Sequence, residues 1–261
     1  MGTITKALEM LDHFSRHRPE LGLADFVRLT GRDKATVHRH LVELAANGFL
    51  EQDEGSRAYR LGPAILRLAG VRERTHPARS VLRPVVQALA EELGELVHMS
   101  ILQGELLSPL VHADPFAHGT QVHFDEAEML PLHATSSGLA VLAFGDPAWA
   151  EGILAAPLPR FTDNTETDPA RLRAMIAATQ ASGIAALDRA FDGEVVSQGV
   201  PVFGPDARVF GALSVAVPRV RAGAAKSTEI AAALRRGCVV ATRALGGQVP
   251  EAHRALWPEG N

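Results

Sequence analysis

Residues 21–61 constrain the fold of this chain more than any other stretch. Apolar residues recur at helical spacing in two short segments, and Thr30 and Gly31 between them favour a turn. The residues that share the inner face of the second segment are Val37, Leu41 and Leu44. Two short helices joined by a tight turn are typical of a helix-turn-helix motif.

The residues around the second segment mark its ends and predict a hairpin after it. Asp33 can accept hydrogen bonds from the free N–H groups at the helix start, and Asn47-Gly48 tolerates a left-handed turn after its end. Apolar residues at 49–50 and 59–61 flank a polar turn at 53–56, which is the pattern of a β-hairpin. The whole stretch therefore predicts a winged helix.

The outer face of the second helix is the candidate DNA-reading surface. At about 100° per residue, Arg39 lies nearly opposite the apolar face, with Thr36 and His38 on its flanks. A major groove admits one α-helix, and an arginine that makes a bidentate hydrogen bond to guanine contributes roughly 1–3 kcal/mol of discrimination against other bases. We therefore expect Arg39 to read bases. The residues expected to contact phosphates are Arg32, Lys34, Arg57 and Arg60. An ordinary helical corner with a solvated charged face is the alternative.

Composition indicates two units of different charge. A chain of 261 residues with 46% hydrophobic residues can bury a large core and is expected to form two domains. The net charge of −4 argues against a protein that coats nucleic acid. Residues 1–70 hold ten Lys and Arg against nine Asp and Glu, net +1, which leaves −5 for the rest. Any DNA contact is therefore expected to be local.

Cysteine content and hydropathy bear on the compartment. The single cysteine, Cys238, allows no internal disulfide and falls on an apolar helical stripe, so we expect it in the core. The sequence has no run of eighteen apolar residues and no secretory signal pattern at its start. We expect a cytoplasmic protein that does not associate with membranes.

Helical spacing predicts an element on each side of the winged helix. Ile4, Leu8 and Leu11, with Ala7 and Phe14 beside them, predict an amphipathic first helix that ends near residues 16–19 and completes a three-helix core. A helix that begins at Pro63 has charged residues flanking an apolar seam and is expected to be a linker and a dimer contact. The predicted division is a winged helix at 1–62, a linker helix at 63–76, a second domain at 77–248 and a loose C-terminal tail at 249–261.

Alternating and helical patterns give the second domain a mixed composition. Helices are predicted at 78–92, 136–144, 149–155, 170–181 and 227–245. Strands are predicted at 96–102, 106–112, 120–124, 183–187, 195–203 and 209–217, of which the first three form an antiparallel meander. The expected fold is α+β, an antiparallel sheet with helices over one or both faces.

A polar turn before the second of these helices is a candidate anion site. Thr135, Ser136, Ser137 and Gly138 lead into an apolar helix, whose first N–H groups are unpaired and lie at the positive end of the helix dipole. A carboxylate fits such a site. A plain helix start with a hydroxyl cap and no ligand is the alternative.

Three blocks of sequence resemble the IclR family of bacterial transcriptional regulators. They are YRLGPAILRLA at 59–69, LPLHATSSGLAVLAF at 130–144 and VVSQGVPVFGPDARVFGALSVAVP at 195–218. The resemblance implies a winged helix joined by a linker helix to a GAF-like effector domain. It also implies a dimer or dimer of dimers on pseudo-palindromic DNA, more often a repressor, with no cofactor.

The resemblance also suggests how an effector is held. It implies that Ser136 and Ser137 bind an effector carboxylate and that Ser197 and Ser214 lie on the sheet wall of the pocket. An apolar chamber is expected from Phe116, Met129, Leu130, Leu132 and Val195, so aromatic, branched and small keto acids all stay open. The candidate effector-binding residues are Ser136, Ser137, Gly138, Asp188, Ser197, Ser214, Met129 and Val195. Asp188 is followed by Arg189, which could pair with it or face solvent.

The sequence also offers features of two other classes of protein. A serine hydrolase is suggested by His133 near Ser136 and Ser137, but the G-x-S-x-G pattern is missing, so we expect no enzyme. A metal sensor is suggested by five histidines without the short spacing of zinc ligands: His98, His112, His118, His123 and His133.

Overall fold

A computed structural model describes residues 2–15 and 17–258. The chain divides into two compact units between Pro77 and Ala78. Within the described residues, every helix is too short or too polar to span a lipid bilayer.

The first unit contains the predicted winged helix. Its elements are α1 (Thr3–Leu8), a 3₁₀ turn (Leu11–His13), α2 (Leu23–Thr30), α3 (Lys34–Ala46), β1 (Leu50–Gln52), β2 (Tyr59–Leu61) and α4 (Pro63–Thr75). Gly31 ends α2 in the left-handed conformation, with φ of 63°. The carboxylate of Asp33 accepts from the Thr36 N–H at the start of α3. Both ends of the turn are thus formed as the sequence predicts.

The first helix is shorter than predicted, and only some of the apolar residues expected in its core are buried. Phe14 is buried as expected, but Ile4 is 76% exposed and Leu8 is 48% exposed, and Met10 is buried instead. The reason is that α1 ends at Leu8 and a 3₁₀ turn follows, so the residues after it no longer keep the 3.6-residue period. The prediction for this helix was therefore wrong in length and wrong for Ile4 and Leu8.

The second unit is a six-stranded antiparallel sheet with helices on both faces. Its elements are α5 (Ala78–Leu93), β3 (Leu96–Gln103), β4 (Leu106–Ala113), β5 (Leu130–Pro131), α6 (Ser136–Phe144), α7 (Pro147–Ala155), α8 (Pro169–Ser182), β6 (Ala185–Asp188), β7 (Val195–Phe203), β8 (Val209–Pro218), two 3₁₀ turns (Arg219–Arg221 and Glu251–Leu256) and α9 (Ala224–Ala244). The strand order is β5-β4-β3-β8-β7-β6. The predicted α+β class is confirmed.

Alternation along the strands gives the two faces of the sheet different chemistry. One face holds apolar residues such as Val97 and Met99 and packs against α5 and α9, with Cys238 buried as expected. The opposite face packs against α6, α7 and α8. On the central strands this second face is polar, because His98 and Ser100 alternate with the apolar residues of β3. A polar lining therefore lies beneath α6.

The predicted strand at 120–124 is absent, and its place at the edge of the sheet is taken by β5, which pairs with β4. The segment is held through side chains instead. Arg221 donates to the Thr120 carbonyl at 2.6 Å, and the Phe124 ring packs against His98 and His112 at 4.8 and 5.1 Å. The alternating pattern at 120–124 therefore belongs to a loop whose Phe124 side chain packs against the sheet.

The C-terminal tail is docked rather than loose. Trp257 is 1% exposed, and its indole N–H donates to the Gly183 carbonyl at 3.0 Å. Its ring meets Phe144 at 4.9 Å and Phe203 at 5.9 Å. The prediction of a loose tail was wrong for the described part, and residues 259–261 of that prediction lie outside the described residues.

Candidate functional site

The outer face of α3 has the orientation that the helical arithmetic predicts. Arg39, His38 and Lys34 are exposed and Thr36 is half-buried, while the inner face, Val37, Leu41 and Leu44, is buried. The base-reading role of Arg39 stays a prediction, and its side chain is on the surface that the role requires.

The three other arginines of the DNA-binding prediction differ in what their side chains contact. Arg57 is exposed in the hairpin turn with φ of 59°, and Arg60 on β2 pairs with Glu51 at 3.0 Å. Arg32, in contrast, is 20% exposed and donates to the Glu9 carboxylate at 2.5 Å and the Lys6 carbonyl at 3.0 Å. It ties the first helix to the helix-turn-helix, so its assignment as a phosphate contact is corrected.

A cavity of about 150 Å³ lies between the polar face of the sheet and the start of α6. A cavity of this size can hold a six-membered ring. Ser197 on β7 and Ala216 on β8 face each other across the strand pair and form its floor. Val122 and Phe124, from the loop between β4 and β5, cover it. Strands of the sheet, the start of α6 and two loops thus meet around a small, partly open cavity.

The start of α6 offers hydrogen-bond donors to this cavity. The Thr135 hydroxyl caps the helix by accepting from the Gly138 N–H at 3.0 Å. The N–H groups of Ser136 and Ser137 precede it, have no carbonyl four residues back within the helix and make no hydrogen bond to the described residues. Both serines are at most 2% exposed and line the cavity. The result is a buried helix end with two free donors.

Two glycines allow α6 to sit this close to the sheet. A Cβ atom on Gly199 of β7 would lie 2.5 Å from the Ser214 hydroxyl and 2.9 Å from the Ser136 carbonyl. A Cβ atom on Gly138 would collide with the backbone of Leu132. Gly138 is therefore a packing residue of α6 rather than a ligand contact.

His98 forms part of the cavity wall on β3. It is 6% exposed, and its Nδ1 lies 3.1 Å from the Ser100 hydroxyl. Burial, together with the nearby His112, lowers the pKa of His98 from 6.5 to about 4. At neutral pH the ring is uncharged, so it can donate or accept a hydrogen bond but does not add a positive charge.

Three acidic side chains line part of the cavity wall away from the start of α6. Asp125, Glu128 and Asp192 line it, and burial together with Asp125 raises the pKa of Glu128. His123 lies near enough to lower that pKa in part. The cavity is thus electronegative away from the start of α6.

Four of the eight predicted effector residues line this cavity: Ser136, Ser137, Val195 and Ser197. Ser214 is fully buried beside it, with its hydroxyl 3.5 Å from that of Ser136. Asp188 lies at the surface, where it pairs with Arg189 at 3.0 Å and Arg219 at 3.6 Å, so it is removed from the site.

The predicted apolar chamber is only partly correct. Leu130 and Val195 line the cavity, but Met129 and Leu132 line a separate one of about 600 Å³ on the other side of β5. Phe116 is 72% exposed. Successive residues of an extended segment point to opposite sides, so Met129 and Leu130 face different cavities, whereas Leu132 lies in the turn that follows β5 and leaves the alternation.

Sequence reasoning missed the residues that the loops and strands bring together: His98, Phe124, Glu128 and Phe191. The one usable signal was His98, a polar residue at an inward position of an otherwise apolar strand.

Comparison with known proteins decides the family. The model of the IclR helix-turn-helix domain matches residues 3–54, and that of the bacterial transcriptional regulator IclR C-terminal domain matches residues 74–239. This chain belongs to the IclR family. The glycerol operon regulatory protein of Streptomyces coelicolor is 30% identical to it over 247 residues, covering 94% of this chain and 96% of the relative. The regulator BhcR of Paracoccus denitrificans is 31% identical over 225 residues, covering 84% and 78%.

Solved structures of IclR regulators share the fold. The crystal structure of an IclR regulator from Silicibacter sp. TM1040 matches with a TM-score of 0.86 and 46% identity, covering 96% of this chain and 98% of that one. An IclR homologue from Microbacterium hydrocarbonoxydans, solved in complex with 4-hydroxybenzoate, matches with a TM-score of 0.77 and 26% identity, covering 94% and 99%. The IclR chain described here is accordingly a ligand-responsive transcriptional regulator and not an enzyme.

The geometry agrees with a sensor rather than a serine hydrolase. The Ser136 hydroxyl donates to Ser214 and the Ser137 hydroxyl to Thr135, while the His133 Nε2 lies 2.8 Å from the Pro159 carbonyl, so neither serine hydroxyl is hydrogen-bonded to an imidazole among the described residues. Among the five histidines of the metal-sensor alternative, His98 and His112 are cross-strand neighbours that share the Phe124 ring, but no group of three metal-ligating side chains occurs in the described part of this IclR chain.

Proposed function

We propose that this IclR-family regulator is a repressor whose effector is a carboxylic acid bound at the start of α6. The observation that carries the proposal is the pair of free N–H groups, at Ser136 and Ser137, in a cavity of about 150 Å³. Hydrogen bonds from N–H groups to a charged acceptor contribute roughly 1.5–3 kcal/mol each, and the helix dipole adds to them. The relative crystallised with 4-hydroxybenzoate, itself a carboxylic acid, supports this class of ligand.

The DNA-binding half of the proposal places α3 in the major groove. Arg39 would read bases, with Thr36 and His38 beside it, and Lys34, Arg57 and Arg60 would contact phosphates. The domain division proposed is a winged helix at 1–62, a linker helix at 63–76 and an effector domain at 77–248, with the tail after it. Effector binding would favour one arrangement of paired recognition helices and so change operator affinity.

The protein is proposed to bind a pseudo-palindromic operator as a homodimer or a dimer of dimers. Apolar side chains on α4 support a contact between copies through the linker helix, since Leu66 is 79% exposed and Leu68 and Val71 are more than 40% exposed. Sedimentation of the purified protein with and without operator DNA would measure the assembly.

DNA reading is tested by fluorescence anisotropy with DNA from upstream of the protein's own gene. Arg39→Ala should reduce the ratio between this DNA and a scrambled duplex by about ten-fold. Arg57→Ala should weaken both duplexes alike and lower the salt dependence of binding. Arg173→Ala, an exposed arginine of the second unit, is the matched control and should change neither. Equal effects of Arg39→Ala and Arg57→Ala on the ratio would contradict the assigned orientation of α3.

Anion binding at α6 is tested by thermal-shift screening with carboxylic acids and their neutral amides. Ser136→Pro removes one N–H donor at the first helical position, where proline is well tolerated, and Thr135 already has the extended conformation that proline requires. Ser136→Ala removes only the hydroxyl. The first variant should lose about ten-fold or more in acid affinity and the second much less. Equal losses, or amides that bind as well as acids, would contradict carboxylate binding by the backbone.

A further inference from the structure

The sheet register puts a second polar group at a fixed distance from the start of α6. The Ser136 backbone lies directly above Gly199 on β7, and Gly199 is opposite Ser214 on β8, which is opposite His98 on β3. Neighbouring strands are about 4.8 Å apart, so β3 is roughly 10 Å from β7. His98 and the free N–H groups therefore stand at two ends of one cavity, at a separation that a small molecule with two polar ends can bridge.

The His98 end is built to meet a hydrogen-bonding group rather than an anion. Its Nδ1 is engaged by Ser100, and its Nε2 makes no hydrogen bond to the described residues although the side chain is 6% exposed and lines the cavity. The ring is neutral, and Phe124 packs against it at 4.8 Å. A ligand hydroxyl fits either tautomer of the ring, because a hydroxyl can both donate and accept.

The remaining polar wall is mainly acidic. Asp125, Glu128 and Asp192 line the cavity together with His123, while no lysine or arginine among the described residues does so. The Asp125 and Asp192 side chains each accept from a backbone N–H of their own loop, at 2.9 and 2.8 Å, which holds them in place. A second carboxylate on a ligand would face three acidic side chains with no lysine or arginine to offset the repulsion.

We infer that the effector is a monocarboxylate whose other end donates a hydrogen bond or carries a positive charge, and that the cavity rejects dicarboxylates. This inference rests on the proposed function, because the carboxylate end is the one assigned to α6. At the end of the cavity away from α6, His98 forms a hydrogen bond with a ligand hydroxyl. Glu128 and its acidic neighbours attract a ligand amine and repel a second carboxylate.

The test uses two series of acids that differ only at the far end. The first is benzoate, 4-hydroxybenzoate, 4-aminobenzoate and terephthalate, and the second is butyrate, 4-hydroxybutyrate, 4-aminobutyrate and succinate. Isothermal titration calorimetry on the full-length protein measures each dissociation constant. In at least one series, the hydroxyl or amino compound should bind about ten-fold tighter than the unsubstituted acid and about ten-fold or more tighter than the diacid.

Two variants assign the discrimination to named residues. Glu128→Gln should reduce the ratio of the dissociation constants of the diacid and the hydroxyl compound about five-fold or more. Glu126→Gln should leave this ratio unchanged, because Glu126 belongs to the same loop but does not line the cavity. His98→Leu should remove the preference for the hydroxyl compound over the unsubstituted acid. Ser100→Ala, which frees Nδ1 without changing the ring, should reduce the same preference and serves if His98→Leu does not fold.

The outcomes separate this inference from the proposed function. If monocarboxylates bind, Ser136→Pro weakens them and the diacids bind as tightly as the hydroxyl compounds, the inference is overturned and the proposed function stands. The inference is also overturned, and the proposed function stands, if Glu128→Gln and Glu126→Gln change the ratio of the dissociation constants of the diacid and the hydroxyl compound equally. If no acid of either series binds, the proposed function is overturned and this inference with it.

Discussion

The ion pair between Glu95 and Arg221 holds the loop that covers the cavity, and its burial allows a quantitative prediction. Glu95 is 2% exposed, and Arg221 donates to its two oxygens at 2.9 and 2.6 Å. A further arm of Arg221 donates to the Thr120 carbonyl at 2.6 Å. Glu95 raises the pKa of Arg221, as expected for a paired guanidinium. The pair therefore ties the loop to the start of β3.

Replacing either Glu95 or Arg221 should lower the free energy of unfolding, and replacing Arg221 should lower it more. Arg221→Met leaves the Glu95 carboxylate, which has almost no access to water, with only His118 at 4.0 Å as a basic neighbour, which costs about 3–5 kcal/mol. Glu95→Gln should cost less, because the Arg221 side chain is 22% exposed and can turn toward water. The double variant should lose less than the sum of the two, since the two charges are coupled.

A second Arg–Glu pair provides a matched control. Arg173 contacts both oxygens of Glu151 at 2.9, 3.0 and 2.6 Å, but both side chains are about half exposed. Water screens this pair, and ordering two long side chains offsets much of the attraction. Arg173→Met should therefore change stability far less than Arg221→Met, although the hydrogen-bond geometry is equivalent.

Urea unfolding followed by tryptophan emission measures these differences in the full chain. Both tryptophans, Trp149 and Trp257, belong to the second unit, so the emission does not report on the winged helix. Equal losses from Arg221→Met and Arg173→Met would refute the reasoning, because burial would then have no influence on the energy of the pair. A strictly additive double variant would refute the coupling.

Three further predictions concern the second unit. The pKa of His98 is about 4 in the folded protein and 6.5 in the unfolded chain, so the unfolded chain takes up a proton first as the pH falls. The free energy of unfolding should therefore decrease between pH 6.5 and pH 4, by about 3 kcal/mol in all. His98→Leu should remove that part of the pH dependence in urea titrations, and an unchanged profile would contradict it. Trp257→Ala should cost about 3–5 kcal/mol by circular dichroism melts, whereas a truly loose tail would show almost no change. Gly199→Ala should lower acid affinity without changing operator affinity, because the added methyl group would meet the Ser214 hydroxyl and the Ser136 carbonyl, and normal acid binding would argue against the close approach of α6.

Local signals in the sequence were enough to predict the winged helix and most of the sheet. The turn at Gly31, the cap at Asp33 and the three buried residues of α3 each depend on residues within one or two helical turns. The start of α6 was predictable for the same reason, since Thr135 caps it from the adjacent position. Such features are fixed by backbone chemistry that the sequence displays directly.

The predictions that failed depend on partners far away in the chain. Trp257 docks against Gly183, and Arg221 holds Thr120, so neither the tail nor the loop could be recognised from its own residues. Arg32 is a similar case, because its basic character suggested DNA while Glu9 on the first helix binds it within the domain. Charge and hydrophobicity in a sequence indicate what a side chain can bind, but not which partner the fold supplies.

The start of α6 could be predicted from the sequence, whereas the cavity wall at His98 and Glu128 could not, because only the second depends on distant parts of the chain. The anion end consists of backbone N–H groups, which any capped helix start supplies, so a Thr-Ser-Ser-Gly turn before an apolar helix indicates it. The far end exists only because β8 pairs with β3 and the loop after β4 returns over the sheet with Phe124 and Glu128. An arginine at the far end would have attracted a second carboxylate, whereas a neutral imidazole beside acids favours a donor. Among regulators that share the α6 end, discrimination between effectors should therefore follow from the residues at the positions of His98 and Glu128.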